Sequence, residues 1–268
     1  MGRGGEASRA SFVASELREV PVPGSIARFE IPSWREQYGV AAGITGRGSE
    51  QGRGFDLGLW SAQPVGEVMN RWLAFRRELA DFRAVVLGNQ IHGVEVMRVD
   101  GGTGWIQVER IDGWITTTPG ILLTVTIADC VPVYLVVPGR AIALLHAGWR
   151  GTAGGILGRG LERLLAAGSC HQGDVVMHCG VGICGDCYEV GSEVMLGCGL
   201  AADGQGPWHL DLRDRLVEQA RGLGLTRITS SSWCSAHDRS RFYSHRASGG
   251  ADGRMVAYIG MTVDQRVG

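Results

Sequence analysis

Residues 121–168 read ILLTVTIADCVPVYLVVPGRAIALLHAGWRGTAGGILGRGLERLLAAG, and the change of period inside this stretch decides the fold class. Ile121 to Val137 is the longest apolar run in the chain, but Asp129 and Pro132 stand in its middle and Gly120 and Pro138 bound it. A charge and a proline at that depth argue against a membrane span, so the run reads as two strands, Ile121 to Ile127 and Val131 to Val137. A third strand follows at Ala141 to Leu145. After it, Ile156, Leu157, Leu161, Leu164 and Leu165 line one helical face, which Gly168 is placed to end. A strand thus feeds a glycine turn and then a helix.

Working outward, Val- and Ile-rich runs bounded by Gly or Pro predict strands at Ala84 to Leu87, Val94 to Val99, Trp114 to Thr117, Val175 to His178, Arg227 to Ser230 and Met255 to Ile259. Helical spacing predicts helices over Val65 to Ala80 and Asp211 to Leu223, with a short turn at Ser192 to Met195. From Gly43 to Leu59, glycines alternating with Arg, Thr and Asp suggest a strand, an exposed turn and a second short strand. Residues 1–24 are polar and patternless and read as a flexible leader without the apolar core of a signal peptide. No linker or repeat interrupts residues 25–268, which predicts a single α+β domain with mixed sheets and helices outside.

Composition removes several function classes. In 268 residues, 27 acidic and 26 basic groups leave a formal net charge of -1, too little for a global field that would hold nucleic acid or an anionic membrane. Every basic residue is Arg, which removes lysine Schiff-base chemistry and the P-loop lysine, so an anion site must use Arg or backbone N–H. Seven cysteines, with Cys179, Cys184, Cys187 and Cys198 crowded together, fit a reducing cytoplasm better than a secreted disulfide framework.

Three reactive side chains stand where a predicted strand gives way to a loop: His92 in LGNQIHGVEV, Cys130 in TVTIADCVPV and His146 in ALLHAGWRG. If they converge, two imidazoles and a thiolate make a three-ligand zinc site whose fourth position is open to water or substrate, the pattern of a catalytic metal. Left apart, Cys130 is a small buried hydrophobe and each His a turn residue. Cys184 and Cys187 form a CxxC, but the second CxxC of a zinc ribbon is missing, and the pair reads as structural packing. His171, His178 and His209 read as surface or core histidines.

The run from Asp112 to Tyr134, then HAGWRG, GICGDCYEVG, HLDL and WCSAHDRSRFYSHRASGGADGR, closely resemble the laccase-domain family in its order of motifs, from about Gly43 to the C-terminus. The family is also called multicopper polyphenol oxidase or YfiH-like and is regarded as one of purine nucleoside phosphorylases. The resemblance implies a layered α/β sandwich around mixed sheets, similar to a toxin deamidase, with zinc held by His92, Cys130 and His146. It implies phosphorolysis of adenosine, inosine, guanosine and methylthioadenosine with inorganic phosphate as co-substrate, and also deamination of adenosine. Val181 stands where the family commonly has Pro, and His245 where an aromatic often precedes Arg246. The early motif, an Arg followed by a Ser-x-Asn-Leu-like run, appears here as Gly46-Arg47 and Phe55-Asp56-Leu57-Gly58.

Arg47 and Arg150 are the candidates to hold phosphate, Arg150 because it opens the helix after the glycine turn. His237 and His245, inside the last motif, are candidates to line the site. Three rival readings remain at this stage. A Cys and His thiol hydrolase or amidase would use Cys130 as nucleophile and His146 as base, on another substrate such as a cell-wall precursor. Copper polyphenol oxidation would need about ten histidines, and the chain has seven with no HxH pair. A non-enzymatic module would keep the metal for stability alone. The partner expected is a small-molecule purine nucleoside, with neither nucleic acid nor membrane; the sequence is silent on oligomeric state.

Overall fold

The computed structural model of the chain describes residues 14–48, 54–59 and 63–263. Among these, the first strands are β1 (Ser15–Glu16), β2 (Val20–Val22), β3 (Arg28–Glu30), β4 (Val40–Thr45), β5 (Ala84–Asn89), β6 (Val96–Arg98), β7 (Gly104–Glu109) and β8 (Gly113–Thr116). They continue with β9 (Ile121–Ile127), β10 (Val131–Val137), β11 (Ala141–Ala147), β12 (Val176–Cys179), β13 (Glu189–Val190), β14 (Trp208–His209), β15 (Arg227–Ser230) and β16 (Met255–Met261). The helices are α1 (Pro32–Tyr38), α2 (Val65–Glu78), α3 (Trp149–Ala153), α4 (Ile156–Gly168), α5 (Ser192–Gly197) and α6 (Leu212–Gly222).

Two seven-stranded mixed sheets carry the fold. The first runs β1-β15-β12-β10-β11-β8-β6 and the second β2-β3-β4-β16-β9-β5-β7. Alternation along each strand sorts the side chains into layers. On β9, Ile121, Leu123, Val125 and Ile127 enter the core between the sheets, while Leu122 joins Trp72 and Phe75 of α2 on the outer face. On β11, Ile142 and Leu144 enter the inter-sheet core, while Ala143 and Leu145 meet Leu157, Leu161 and Leu164 of α4 and Leu216 of α6. Both faces of these strands are covered, which is why they read as continuous apolar runs. The result is helix, sheet, sheet, helix: the layered α+β sandwich with outer helices that the sequence implies. None of the described helices is long and apolar enough to cross a membrane.

The boundaries of β9 and β10 coincide with those read from the sequence. Several elements were not anticipated, among them four that shape the second sheet and its flank. The edge strand β7 has alternately exposed side chains and pairs only with β5; α1 is a single short helix opened by Pro32 and closed by Gly39 in the left-handed conformation; and β2 and β3 begin the second sheet. The second short strand expected before Leu59 is absent from residues 54–59, and residues 49–53 lie outside the described residues.

The expected leader also differs in its second half. Residues 1–13 lie outside the described residues, but β1 pairs with β15 in the first sheet and β2 with β3 in the second. Between them Glu19 is 1% exposed. Its carboxylate meets His178 Nε2 at 3.2 Å and accepts from Ser231 Oγ at 2.5 Å, while its carbonyl accepts from Trp233 Nε1 at 2.8 Å. A short polar segment is buried here because its partners are buried polar groups, a fact that periodicity does not report. Glu19→Ala strands those partners and is expected to destabilise the chain by about 2 kcal/mol or more, read as a lower urea midpoint; an unchanged midpoint would refute this role.

Candidate active site

His92, Cys130 and His146 meet. One donor atom from each lies within 4.8 Å of the others, and the two imidazole rings stand 4.9 Å apart at 71°. The fold explains the meeting. Cys130 occupies the short connection in which the chain leaves β9 of the second sheet for β10 of the first. His92 lies just past β5 of the second sheet. His146 continues the two-residue alternation of Ile142 and Leu144 on β11, so it projects from the same inter-sheet face where the hydrophobic core ends.

A fourth residue aligns the set. Asp112, fully buried in the crossing from β7 to β8, accepts the backbone N–H groups of Ile91, His92 and Gly93 at 3.2, 2.9 and 2.8 Å. Its Oδ1 also lies 2.9 Å from His146 Nδ1. His92 thereby keeps a left-handed backbone, φ 59°, which a non-glycine residue rarely adopts without such support. Gln90 clamps the other side of this loop, donating to Thr126 O at 2.9 Å and accepting from Thr126 N–H at 2.7 Å.

With Nδ1 of His146 engaged by Asp112, Nε2 is the nitrogen left for a ligand or for Cys130. Burial alone would raise the Asp112 carboxyl, but the His146 ring and the N–H donors of Gly93 and Ile91 outweigh it and hold it below its ordinary range. Burial alone would likewise raise the Cys130 thiol; the facing His146, and then His92, bring it down to about 6. His146, which burial alone would lower, is raised to about 9 by Cys130 and Asp112.

The donor set fits a borderline-soft divalent ion such as zinc. Bonds of about 2.0–2.3 Å to one tetrahedral ion place sulfur and nitrogen donors about 3.4–3.8 Å apart, within the spread of this cluster. Gly148 keeps the place clear, because a Cβ there would stand 3.0 Å from Cys130 Sγ and 3.1 Å from His92 Cδ2. Three donors leave one side open, and that side faces a cavity of about 790 Å³.

Arg150 lines this cavity and Arg47 does not. Arg47 instead pairs with Asp252 at 2.6 Å and stacks on Tyr243. Arg150 lies inside the first turn of α3, exposed, with its guanidinium 4.4 Å above the Trp149 ring and no carboxylate partner among the described residues. Because α3 has only five residues, any anion attraction there comes from the guanidinium more than from a helix dipole.

Two further cavity arginines escaped the sequence reading. Arg246 donates to Glu189 O at 2.6 Å and lies over the Tyr188 ring, and Arg254 donates to the carbonyls of Asp252 and Gly253. Neither has a carboxylate partner among the described residues. Asp56, 1% exposed, also reaches the wall, and its Oδ2 has no hydrogen-bond partner among the described residues. His245 lines the cavity, whereas His237 lies with Cys184, Cys187 and Cys234. The signal available for Asp112 was its place at the head of the DGWIT motif, but sequence does not tell a carboxylate that orders a loop from one that caps a strand.

Residues 41–262 match the family described as multi-copper polyphenol oxidoreductase laccase. Over 251 residues the chain is 33% identical to purine nucleoside phosphorylase YlmD of Geobacillus stearothermophilus, covering 83% of this chain and 90% of that one. It is also 33% identical over 250 residues to adenosine deaminase RL5 of an unknown prokaryotic organism, covering 82% and 94%. The crystal structure of YlmD from Geobacillus stearothermophilus superposes with a TM-score of 0.79 at 28% identity, over 91% of this chain and all of that one.

The pairing of Cys130 with His146 has a measurable consequence. After chelation, iodoacetamide should alkylate Cys130 with a rate that is half-maximal near pH 6, where the thiolate forms, instead of near the ordinary thiol value of 9. Asp112→Asn removes the charge that supports the His146 imidazolium and should move that midpoint upward. An ordinary thiol profile in the unsubstituted chain would show that the two groups are not coupled.

Proposed function

This chain belongs to the multi-copper polyphenol oxidoreductase laccase family, and on that premise we propose that it is a zinc-dependent purine nucleoside phosphorylase of the reducing cytoplasm, with adenosine deamination as a second activity of the same site. The proposed substrates are adenosine, inosine, guanosine and methylthioadenosine, with inorganic phosphate. The observation that carries this reading is the conjunction of a three-donor site with cavity arginines that have no carboxylate partner among the described residues.

Phosphorolysis breaks the bond between ribose C1′ and the purine nitrogen, forms a C1′–O bond to phosphate, and passes a proton to the departing base. The phosphate is dianionic and the ribose becomes oxocarbenium-like, so the site must hold an anion close to a developing cation. Arg150, Arg246 and Arg254 supply that field: none has a carboxylate partner among the described residues, and Arg246 and Arg254 are oriented by carbonyl acceptors. Arg47, neutralised by Asp252, acts in this reading by positioning the 252–254 segment. Asp56 Oδ2, buried and without a partner among the described residues, would accept a hydrogen bond from a ribose hydroxyl.

His92, Cys130 and His146 would hold zinc, which supplies Lewis acidity and lowers the pKa of water toward neutrality. The chain's own part is to fix the open side toward the cavity. Asp112 orients His146 and shapes the 91–93 loop, and Gly148 prevents a side chain from entering. The thiolate makes the centre a weaker Lewis acid than three imidazoles would.

A second reading has a specific observation in its favour. Asp112, His146 and Cys130 stand in the order acceptor, base and thiol that a Cys and His hydrolase uses. His92 speaks against it, since an activated thiol has no need of a second imidazole held in a strained backbone.

Incubation with inosine should release ribose 1-phosphate only when phosphate is present, and adenosine should give ammonia with or without it. Arg150→Ala is expected to raise KM for phosphate by about tenfold or more, the loss of roughly one charge-assisted hydrogen bond. Cys130→Ala should lose the metal of this site together with turnover. Full phosphorolysis in that variant would remove the zinc reading, and ready alkylation of Cys130 in active metal-loaded protein would favour the hydrolase.

A further inference from the structure

We propose that Cys184, Cys187, Cys234 and His237 form a second, closed zinc site that ties together two loops beside the cavity. The reading from sequence stopped at the CxxC of Cys184 and Cys187 because no second CxxC follows. The partner pair is of another kind: Cys234 and His237 in WCSAH, a C-x2-H. The chain therefore carries C-x2-C and C-x2-H separated by 46 residues, and three thiolates with one imidazole make a tetrahedral structural zinc set.

The fold brings the two pairs together. One donor atom from each of the four residues lies within 4.8 Å of the others. Cys184 Sγ stands 3.6 Å from His237 Nδ1, about the separation of two ligands on one tetrahedral zinc. The backbone fixes the arrangement without help from a metal. Gly182 and Cys234 form a parallel bridge, Ser235 N–H donates to Gly182 O at 3.0 Å, and Cys184 N–H points at Cys234 Sγ at 3.3 Å. A short 3-10 turn, Gly185–Cys187, returns the chain so that Cys184 and Cys187 face the same point. Asp211 and Arg213 brace both loops from behind: Asp211 accepts Gly185 N–H, and the buried Arg213 donates to Asp211 and to the carbonyl of Trp233.

Four donors close a coordination sphere where the first site's three leave it open, so this ion would be structural and not catalytic. A disulfide would use two of the sulfurs and leave the third sulfur and the imidazole without a role, whereas a metal uses all four. The site also has mechanical consequences. The 183–188 loop carries Ile183 and Tyr188 into the cavity wall, and Ile183 N–H donates to Asp129 O beside Cys130. From the other loop, Ser235 Oγ donates to Asp129 Oδ1 at 2.7 Å. Both loops thus converge on the residue that precedes the Cys130 thiol. Asp129 has φ 85°, a conformation that these bonds help hold.

The test is metal stoichiometry, which reads each site independently of turnover. Chain purified under reducing conditions should contain two zinc equivalents, falling to one in Cys130→Ala, one in Cys187→Ser, and none in the double variant. Cobalt added to the Cys130→Ala chain after zinc removal should give the intense visible bands and near-ultraviolet charge transfer of thiolate-bound tetrahedral cobalt. The unsubstituted chain provides the control against misfolding: it should bind two equivalents of cobalt on titration. One equivalent in that chain, with Cys184, Cys187 and Cys234 open to alkylation or joined in a disulfide, overturns the proposal and leaves the function proposed for the first site untouched. Two equivalents with loss of metal only from the first site in Cys130→Ala support it even if that variant is inactive.

Discussion

The site depends on the buried carboxylate of Asp112. One side chain accepts three consecutive backbone N–H groups from the 91–93 loop and faces the Nδ1 of His146. Each of these bonds would be modest alone, but a buried carboxylate left without donors is costly, so the loop, the ring and the acid are ordered together. The same bonds set two geometric facts that a metal or a thiol requires. His92 is held in a backbone conformation it would not otherwise keep, and His146 is left with one definite nitrogen for Cys130 and whatever binds there. Asp112 lies where the chain crosses from one sheet to the other, as does Cys130. The seam between two hydrophobic sheets is therefore also the line along which the reactive groups are assembled.

Much of this was legible in the sequence, for reasons that differ between parts. β9, β10 and β11 were legible because strands covered on both faces are continuously apolar, and Asp129 with Pro132 marks the break between the first two. The three donors were legible because each stands at a strand end, with Gly93 next to His92 and Gly148 two residues after His146, and a Cβ at Gly148 would crowd Cys130 and His92. What escaped was carried by polar pairing over long sequence separations. Glu19 finds His178 and Ser231 more than 150 residues away, and Asp112 finds a loop 20 residues before it. Nothing in local periodicity encodes such a partner. Arg47 illustrates the converse: its position in the motif order suggests an anion site, but Asp252 has already taken its charge.

The partition of charge around the cavity bears on which chemistry the site favours. Hydrolytic deamination asks the metal for a strongly acidified water, and a thiolate ligand works against that by donating charge to the ion. Phosphorolysis asks for less: its nucleophile arrives already anionic, and the demand falls on the cationic surroundings. Among the described residues Arg150, Arg246 and Arg254 have no carboxylate partner, in a wall that also bears Asp56, Asp129 and Asp252. Asp129 and Asp252 are engaged by serine hydroxyl, backbone N–H or Arg47, so their charge is partly screened from the cavity.

The same accounting of side chains weighs against copper oxidase chemistry, which the family's description names. A blue centre with a trinuclear cluster draws on about ten histidines. Of the seven here, His178 is buried against Glu19 and Thr229, His209 faces the carbonyl of Gly185, and His171 caps a short turn. His237 lies among cysteines and His245 along the cavity wall. Only His92 and His146 share a site, and they share it with a sulfur. Among the described residues there is no second cluster of imidazoles near enough to pass electrons to dioxygen. Two imidazoles and one sulfur amount at most to a single electron-transfer centre, and the further histidines that a trinuclear cluster needs are not gathered anywhere among the described residues.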